Sequence, residues 1–416
     1  MLALLHRIEK KHLTWLVNAL VFLFFISVLT FKKGYSYAPM ALAVIGIIYL
    51  FHYLFKQKKK LNPTLQDKWL IYAFVFYFGT FALSAIIHGD GFREIDNPSR
   101  VLLFLPLLLL FREFPINLKT VLLAIPLGSI ISGIVAFYQK FHLNLDKPFP
   151  YLMSIQAGDI AISLGTISLA IAIYWGIKKE YKWLVFSLVG AGFGMLSSAL
   201  TGSRGGWVGL PLVLVIILFF SYKNLNRKVI SSVTLLLLAI ISAIIFIPQT
   251  KVLNRINDAA QEISNYFEKN HRHTSLGTRF DMWNGVFLGI QEKPVLGWGS
   301  QGYIELKQRQ VKEKKMHNRT LLFNDAHNQI LDALIKRGII GVLGVLAIIL
   351  VPLFYFIRQI KKSTIEIKVI ALLGIVHIIS VCGFFTSQTF LAHNSGTLFY
   401  CFVLMILYGL GKSVKS

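Results

Sequence analysis

Charge is scarce in this chain. Only 15% of its 416 residues are Asp, Glu, Lys or Arg, 55% are hydrophobic, and the mean hydropathy is +0.62. A soluble domain carries about 25% charged residues and no apolar runs of twenty, so a soluble enzyme of two or three domains is excluded. Cysteine is nearly absent. Cys382 and Cys401 lie in apolar runs and form no CxxC pair, which excludes a thiolate metal centre and a disulfide framework. Also missing are an internal repeat, a low-complexity stretch and a soluble second domain. Acidic residues number 19 against 43 Lys and Arg, a formal charge of +24. In a soluble protein that excess would suggest nucleic acid. Here the position of the charges between apolar segments matters more than their sum, and no nucleic-acid partner is expected.

What the chain has is apolar length. Apolar segments run through 13–31, 36–55, 69–88, 98–111, 119–138, 155–177, 183–200, 206–221, 229–248, 338–357, 367–387 and 395–411. At about 20 residues per crossing, they predict an all-α polytopic membrane protein of about twelve spans, with 98–111 the shortest. Arg7, Lys10 and Lys11 precede the first apolar stretch, which has no A-x-A-like site and reads as a retained span. With the N-terminus inside, the cytoplasmic ends carry 22 basic residues and the short outer loops carry 7. The positive-inside rule then puts both termini in the cytoplasm.

The other 14 basic residues sit in one long outer segment. The organisation expected is therefore 1–248 with spans one to nine, a periplasmic loop domain over 249–337, and 338–416 with spans ten to twelve. Val252, Ile256, Ala259, Ile263 and Phe267 recur at helical spacing, which predicts a helix lying on something apolar. A second helix is expected over Ser275–Ile290, with Ser275 or Thr278 as N-cap. A third is expected from an Asp325 N-cap to about Arg337, broken at Gly338.

Three motifs could carry chemistry. In Thr201-Gly202-Ser203-Arg204-Gly205-Gly206 the glycines allow close backbone approach to a ligand, and an arginine fork suits phosphate oxygens. An arginine snorkelling to lipid headgroups is the plainer alternative. In Gly277-Thr278-Arg279-Phe280-Asp281-Met282-Trp283, Arg279 can serve a ligand or form a surface pair with Asp281. In Asn324-Asp325-Ala326-His327-Asn328-Gln329, a helix N-terminus would disfavour imidazolium at His327 and leave a neutral base. The alternative is a histidine hydrogen-bonded in its loop. His271, His273 and His317 have no zinc-like spacing. The glycine-rich Pro294–Tyr303 phrase lacks a GK[ST] ending and reads as a compact turn packing on the membrane domain. Asp159, inside an apolar span, is a functional candidate by its cost there.

The order of these motifs, with a short-loop SRGG, a long loop bearing GTRxxxW, then DAHN before the next span, resembles the O-antigen ligase family. The resemblance covers essentially the whole chain. It implies a fold similar to C-class glycosyltransferases. It also implies an undecaprenyl-diphosphate-linked glycan as donor, a lipid A-core acceptor, no cofactor and no metal ion. In that family two arginines and a histidine on the periplasmic side are essential, and they fall here on Arg204, Arg279 and His327. Ser203, Gly205, Asp325 and Asn328 are the supporting positions. The resemblance further implies the bacterial inner membrane as location. The same core pattern is shared with O-antigen polymerases and bacterial O-linked protein oligosaccharyltransferases, and the absence of an added soluble domain fits the ligase best. A lipid-linked glycan transporter is the competing class, but it would need repeat halves and midplane charges. A structural scaffold, the third reading, should tolerate alanine at Arg204, Arg279 and His327.

Overall fold

The computed structural model describes residues 2–203, 205–226, 252–269, 271–361 and 364–414, with 230–231, 234–235, 238–239, 242 and 245–246 between them. Among the described residues all regular structure is helical. Helix α1 is Leu2–Ser27, α2 Gly34–Phe51 with a π turn on to Lys56, α3 Leu65–His88, α4 Arg93–Leu103, α5 Leu107–Glu113 and α6 Leu118–Phe141. Then follow α7 Ser154–Ile177, α8 Tyr181–Leu200, α9 Leu210–Asn224, α10 Val252–Lys269, α11 Ser275–Ile290, α12 Gly299–Lys312, α13 Gln329–Gln359, α14 Ile365–Phe385 and α15 Asn394–Ser413.

Nine helices among the described residues are long and apolar enough to cross a membrane. They make this a multi-pass membrane protein. The expected span at 229–248 lies largely outside the described residues. The expected span at 98–111 is two short helices, α4 and α5, separated at Phe104-Leu105-Pro106. Proline has no amide hydrogen to donate and pushes the preceding residue out of helical geometry. At 1.5 Å per residue the two pieces are about 17 and 10 Å long, so neither alone crosses about 30 Å of hydrocarbon. Both pack on α15, and α5 also meets α2.

The helices fall into an inner and an outer set. Residues 156–176 of α7 are buried on every face, and α14 and α15 nearly so. Outer helices keep one apolar face turned outward, as Trp69, Tyr72, Phe76 and Ile86 do on α3. Between α7 and α8 the contact is made by small residues. A β-carbon added at Gly194 would stand 2.6 Å from the Gly165 Cα of α7, and on the α6 side of α8 one at Gly190 would stand 2.9 Å from the Pro126 Cα. Close backbone approach of this kind replaces the hydrophobic driving force that lipid surroundings remove. It also brings Ser129 Oγ of α6 to the Gly190 carbonyl at 2.7 Å.

The segment before α13 forms the only other large body among the described residues. Its α11 follows the expected bounds, but the N-cap is Thr274, whose hydroxyl accepts from the Gly277 amide at 3.0 Å. In α10 the apolar face is only part covered: Tyr266 meets Phe280 with ring centroids 5.2 Å apart, while Phe267 remains 74% exposed. The α12 N-terminus is held by the carboxylate of Asp90, which accepts from the amides of Ser300 at 2.9 Å and Gln301 at 3.2 Å. A carboxylate suits the positive end of a helix dipole.

The expected break at Gly338 is present. Gly338 takes φ 62, ψ −159 inside α13, a conformation that strains any residue with a β-carbon. Its reason lies across the contact. A β-carbon at Gly338 would run into the Val295 carbonyl, and one at Gly297 would stand 2.6 Å from the Arg337 amide nitrogen. Two hydrogen bonds close the junction, Trp298 N to Ile335 O at 2.8 Å and Ile339 N to Pro294 O at 3.0 Å. Residues 294–298 of the glycine-rich phrase are thus a turn locked backbone to backbone on α13, whereas 299–303, expected in the same turn, begin helix α12. Gly338→Ala combines backbone strain of about 1–3 kcal/mol, in a region occupied essentially by glycine alone, with overpacking of about 1–3 kcal/mol. The thermal midpoint of the purified variant should fall by several degrees, and an unchanged midpoint would show slack in this junction.

Candidate active site

A cluster of polar groups forms where four pieces of chain meet. These are the start of α7, the 201–206 turn, the 323–329 segment and the 386–395 linker between α14 and α15.

The turn lies on α7 with almost no clearance. A β-carbon at Gly158 would stand 2.6 Å from Thr201 Oγ1 and 2.7 Å from Ser203 Cβ. A side chain at Gly205 would collide with the Ser387 hydroxyl, and one at Gly206 would come within 2.8 Å of Asp159 Oδ1. Gly205 and Gly206 are therefore required by contact, Gly205 with Ser387 and Gly206 with Asp159. Arg204, predicted between them, lies outside the described residues. Asp159 is fully buried; its Oδ2 accepts from Gln388 Nε2. Gln388 in turn accepts from Gln156 at 3.1 Å, and Gln156 from Ser395 at 3.1 Å. Asp159 Oδ1 and Ser203 Oγ are buried with no hydrogen-bond partner among the described residues. Buried polar atoms left in this state are costly, and each calls for a reason such as a bound water, an ion or a functional role.

His327 stands on the next segment. The sequence placed Asp325 as N-cap of the following helix with His327 in its first turn; the structure moves the cap three residues on. Asn328 caps α13, its Oδ1 accepting from the amides of Ile330 and Leu331, each at 3.0 Å. Asn and Asp cap equally well, so spacing alone could not separate 325 from 328. His327 is consequently outside the helix, with φ 46 in the left-handed region, which non-glycine residues adopt rarely and often at functional sites. Asp325 holds it there: its Oδ1 accepts from the His327 amide at 2.8 Å and faces Nδ1 at 3.4 Å. With Nδ1 turned to a carboxylate, the neutral ring carries its proton on Nδ1 and offers Nε2 as acceptor.

Arg279 reaches this place from the second turn of α11. It acts electrostatically on both His327 and Asp159, so it joins the two halves of the site. Asp281, its expected surface partner, is buried and serves another purpose. It accepts from the His317 amide at 2.6 Å and lies 3.6 Å from Arg272. Two residues apart on a helix, Arg279 and Asp281 point in different directions. Trp283 does brace the site, donating from Nε1 to the Ala326 carbonyl at 3.0 Å.

The charge balance sets the proton state of His327. Burial lowers its pKa from the ordinary 6.5, Asp325 pulls it up, and Arg279 pushes it down again, with a net lowering. Burial alone would raise Asp325, but His327, the bond from the His327 amide and Lys336 outweigh it and hold the carboxyl below its usual range. The histidine is thus neutral at neutral pH, which a proton acceptor requires, and the carboxylate beside it stays ionised. Among the described residues no group of His, Cys, Asp and Glu has the arrangement of a metal site.

Sequence reading singled out Arg279, His327, Asp325 and Asn328 as candidates. It did not find Gln388, Gln156, Ser387 or Gln329, whose Oε1 accepts from the Leu391 amide at 2.8 Å. These are ordinary polar residues until the linker folds over α7. Wild-type His327 should react with an acylating imidazole reagent with a pH midpoint below 6.5, and lower still in Asp325→Asn, which loses the stabilising charge. A wild-type midpoint at or above the ordinary value would overturn this electrostatic picture.

A family model described as O-antigen ligase matches residues 193–346, the stretch that holds the 201–206 turn, α11 and the His327 segment. An uncharacterized protein of Haemophilus influenzae is 49% identical over 402 residues, covering 95% of this chain and 100% of its own. The O-antigen ligase of Escherichia coli K12 is 26% identical over 252 residues, covering 60% of this chain and 58% of its own.

Proposed function

The chain belongs to the O-antigen ligase family, and from that premise we propose that it transfers glycan from undecaprenyl diphosphate to the lipid A-core oligosaccharide. The observation that carries the mechanism is a neutral, carboxylate-oriented histidine under the influence of a permanently charged arginine. The excess of basic residues at the opposite ends of the spans supports a periplasmic face for this site and an inner-membrane location.

In this reading His327 Nε2 takes the proton of the acceptor hydroxyl. The hydroxyl oxygen bonds to the anomeric carbon of the donor glycan from the face opposite the diphosphate. The anomeric carbon–phosphate oxygen bond breaks, undecaprenyl diphosphate leaves, and the configuration inverts. The proton rests on His327, where Asp325 stabilises the imidazolium. Negative charge on the leaving diphosphate grows as that bond breaks. Arg204 and Arg279 answer it as fixed cations that need no reorganisation at the moment of reaction. A divalent metal would otherwise supply that compensation. No nucleotide is needed, because the diphosphate linkage of the donor carries the driving force. The outer helices with their exposed apolar faces give the polyprenyl tail access from the bilayer.

The test is transfer by purified protein in detergent, with chelator present, from lipid-linked glycan to lipid A-core. Wild type should transfer. Arg279→Ala should lose about 10²–10³ in rate and His327→Ala about 10²–10⁴, with both variants still in the membrane. The wild-type rate should fall on the acidic side only below the ordinary histidine pKa, since the base is lost when pH drops through its lowered pKa. Full activity in either variant would remove that residue from the mechanism. Extension of the lipid-linked glycan instead of transfer would make the enzyme a polymerase, and glycan on a protein hydroxyl would make it an oligosaccharyltransferase.

A further inference from the structure

Helix α12 turns a lysine inward. Its buried stripe is Gly299, Tyr303, Leu306, Lys307 and Gln310, a helical spacing in which every other member is apolar, small or neutral. Lys307 is 1% exposed. An ammonium in such a position costs several kcal/mol unless charge and hydrogen bonds compensate it, so its surroundings show what it holds.

Lys307 Nζ donates to the Phe323 carbonyl and stands 4.8 Å from the centre of the Tyr303 ring. Asp325, on the same segment as Phe323, and Asp332 of α13 act on it with opposite charge. Lys336 of α13 is the like charge nearby, paired with Asp332 at 2.8 Å and 5.9 Å from the same tyrosine ring. Asp332 Oδ1 also accepts from the Ala326 amide at 3.2 Å. The turn that carries His327 is therefore gripped at 323 by Lys307, at 326 by Asp332 and at 327 by Asp325. Phe323 itself packs edge-on to the His327 ring at 4.7 Å.

We propose that Lys307 is a positioning residue for His327: its ammonium fixes the 323–327 turn, and the turn holds the imidazole in its left-handed, carboxylate-facing pose. The proposal rests on His327 as the base of the proposed transfer. Lys307 touches neither substrate nor the reacting atoms.

Burial, followed by the repulsion of Lys336, lowers Lys307 to about 8 against the pull of the two aspartates. As pH rises through that value the ammonium becomes a neutral amine and its grip on Asp325, Asp332 and the Phe323 carbonyl weakens. Two measurements on the full-length protein in nanodiscs test this. In the first, hydrogen exchange at the amides of Ala326 and His327 is followed from pH 6 to 10 and corrected for intrinsic rates. Wild type should lose protection as pH rises through about 8. Lys307→Arg, whose charge persists, should keep it, and Lys307→Met should show low protection at every pH. In the second, the transfer rate should follow the same pattern: an alkaline fall in wild type, none in Lys307→Arg, and a loss of roughly 10- to 100-fold at all pH in Lys307→Met.

Should the guanidinium not fit, Lys307→Met with an unchanged thermal midpoint decides alone. Wild-type protection and rate in that variant would overturn the proposal, as would an identical alkaline loss in wild type and Lys307→Arg. If exchange behaves as expected but no variant, wild type included, transfers glycan, the functional reading fails and the hold of Lys307 on the turn stands. If exchange ignores the lysine, the proposal fails whatever the transfer assay gives.

Discussion

The contact of Gly338 with the 294–297 turn governs the placement of the candidate site. Membrane helix α13 begins well before it enters the apolar body, and its first turns carry Asp332, Lys336 and the Asn328 cap. A backbone-to-backbone lock at Gly338 and Gly297 fixes the direction of those turns. The His327 segment precedes the cap, so its place above α7 follows from that direction. A side chain at either glycine would force the two backbones apart and shift the segment that carries His327.

A second constraint is dielectric. Polar groups at the top of α7 lie beside apolar helices, where an unpaired charge costs several kcal/mol and a fixed one acts strongly. The protein meets this with a chain of side-chain amides and hydroxyls, Ser395 to Gln156 to Gln388 to Asp159. It also uses arginine, which cannot lose its proton. Histidine in the same surroundings can, and does, so cation and base stand side by side without exchanging roles. The neutral His327 results from burial and Arg279 acting against Asp325.

Much of this was legible in the sequence. Apolar length gave the polytopic class. Residues 275–290 were readable as a helix, and Gly338 as its successor's break, because helix periodicity and glycine conformation are local properties. Asp325 as N-cap was wrong because Asn328 offers the same chemistry three residues later, and only the amide directions of Ile330 and Leu331 distinguish them. The segment 98–111 is broken before Pro106 into two helices, an effect of proline that a hydropathy sum does not register. Lys307 carried a readable signal, a basic residue four positions after Tyr303 on the buried stripe of α12, but a lysine on a helix is ordinarily solvated. Gln156, Gln388 and Ser387 carried none. Their meeting depends on long-range packing of the α14–α15 linker over α7.

A single displacement, with His327 as base and a lipid diphosphate as leaving group, leaves one mark that a double displacement does not. The anomeric configuration of the newly formed glycosidic bond, read by NMR of the purified product and compared with that of the lipid-linked donor, should be inverted. Retained configuration would require a double displacement or attack on the same face as the leaving diphosphate, and would contradict the single back-face displacement assigned to His327.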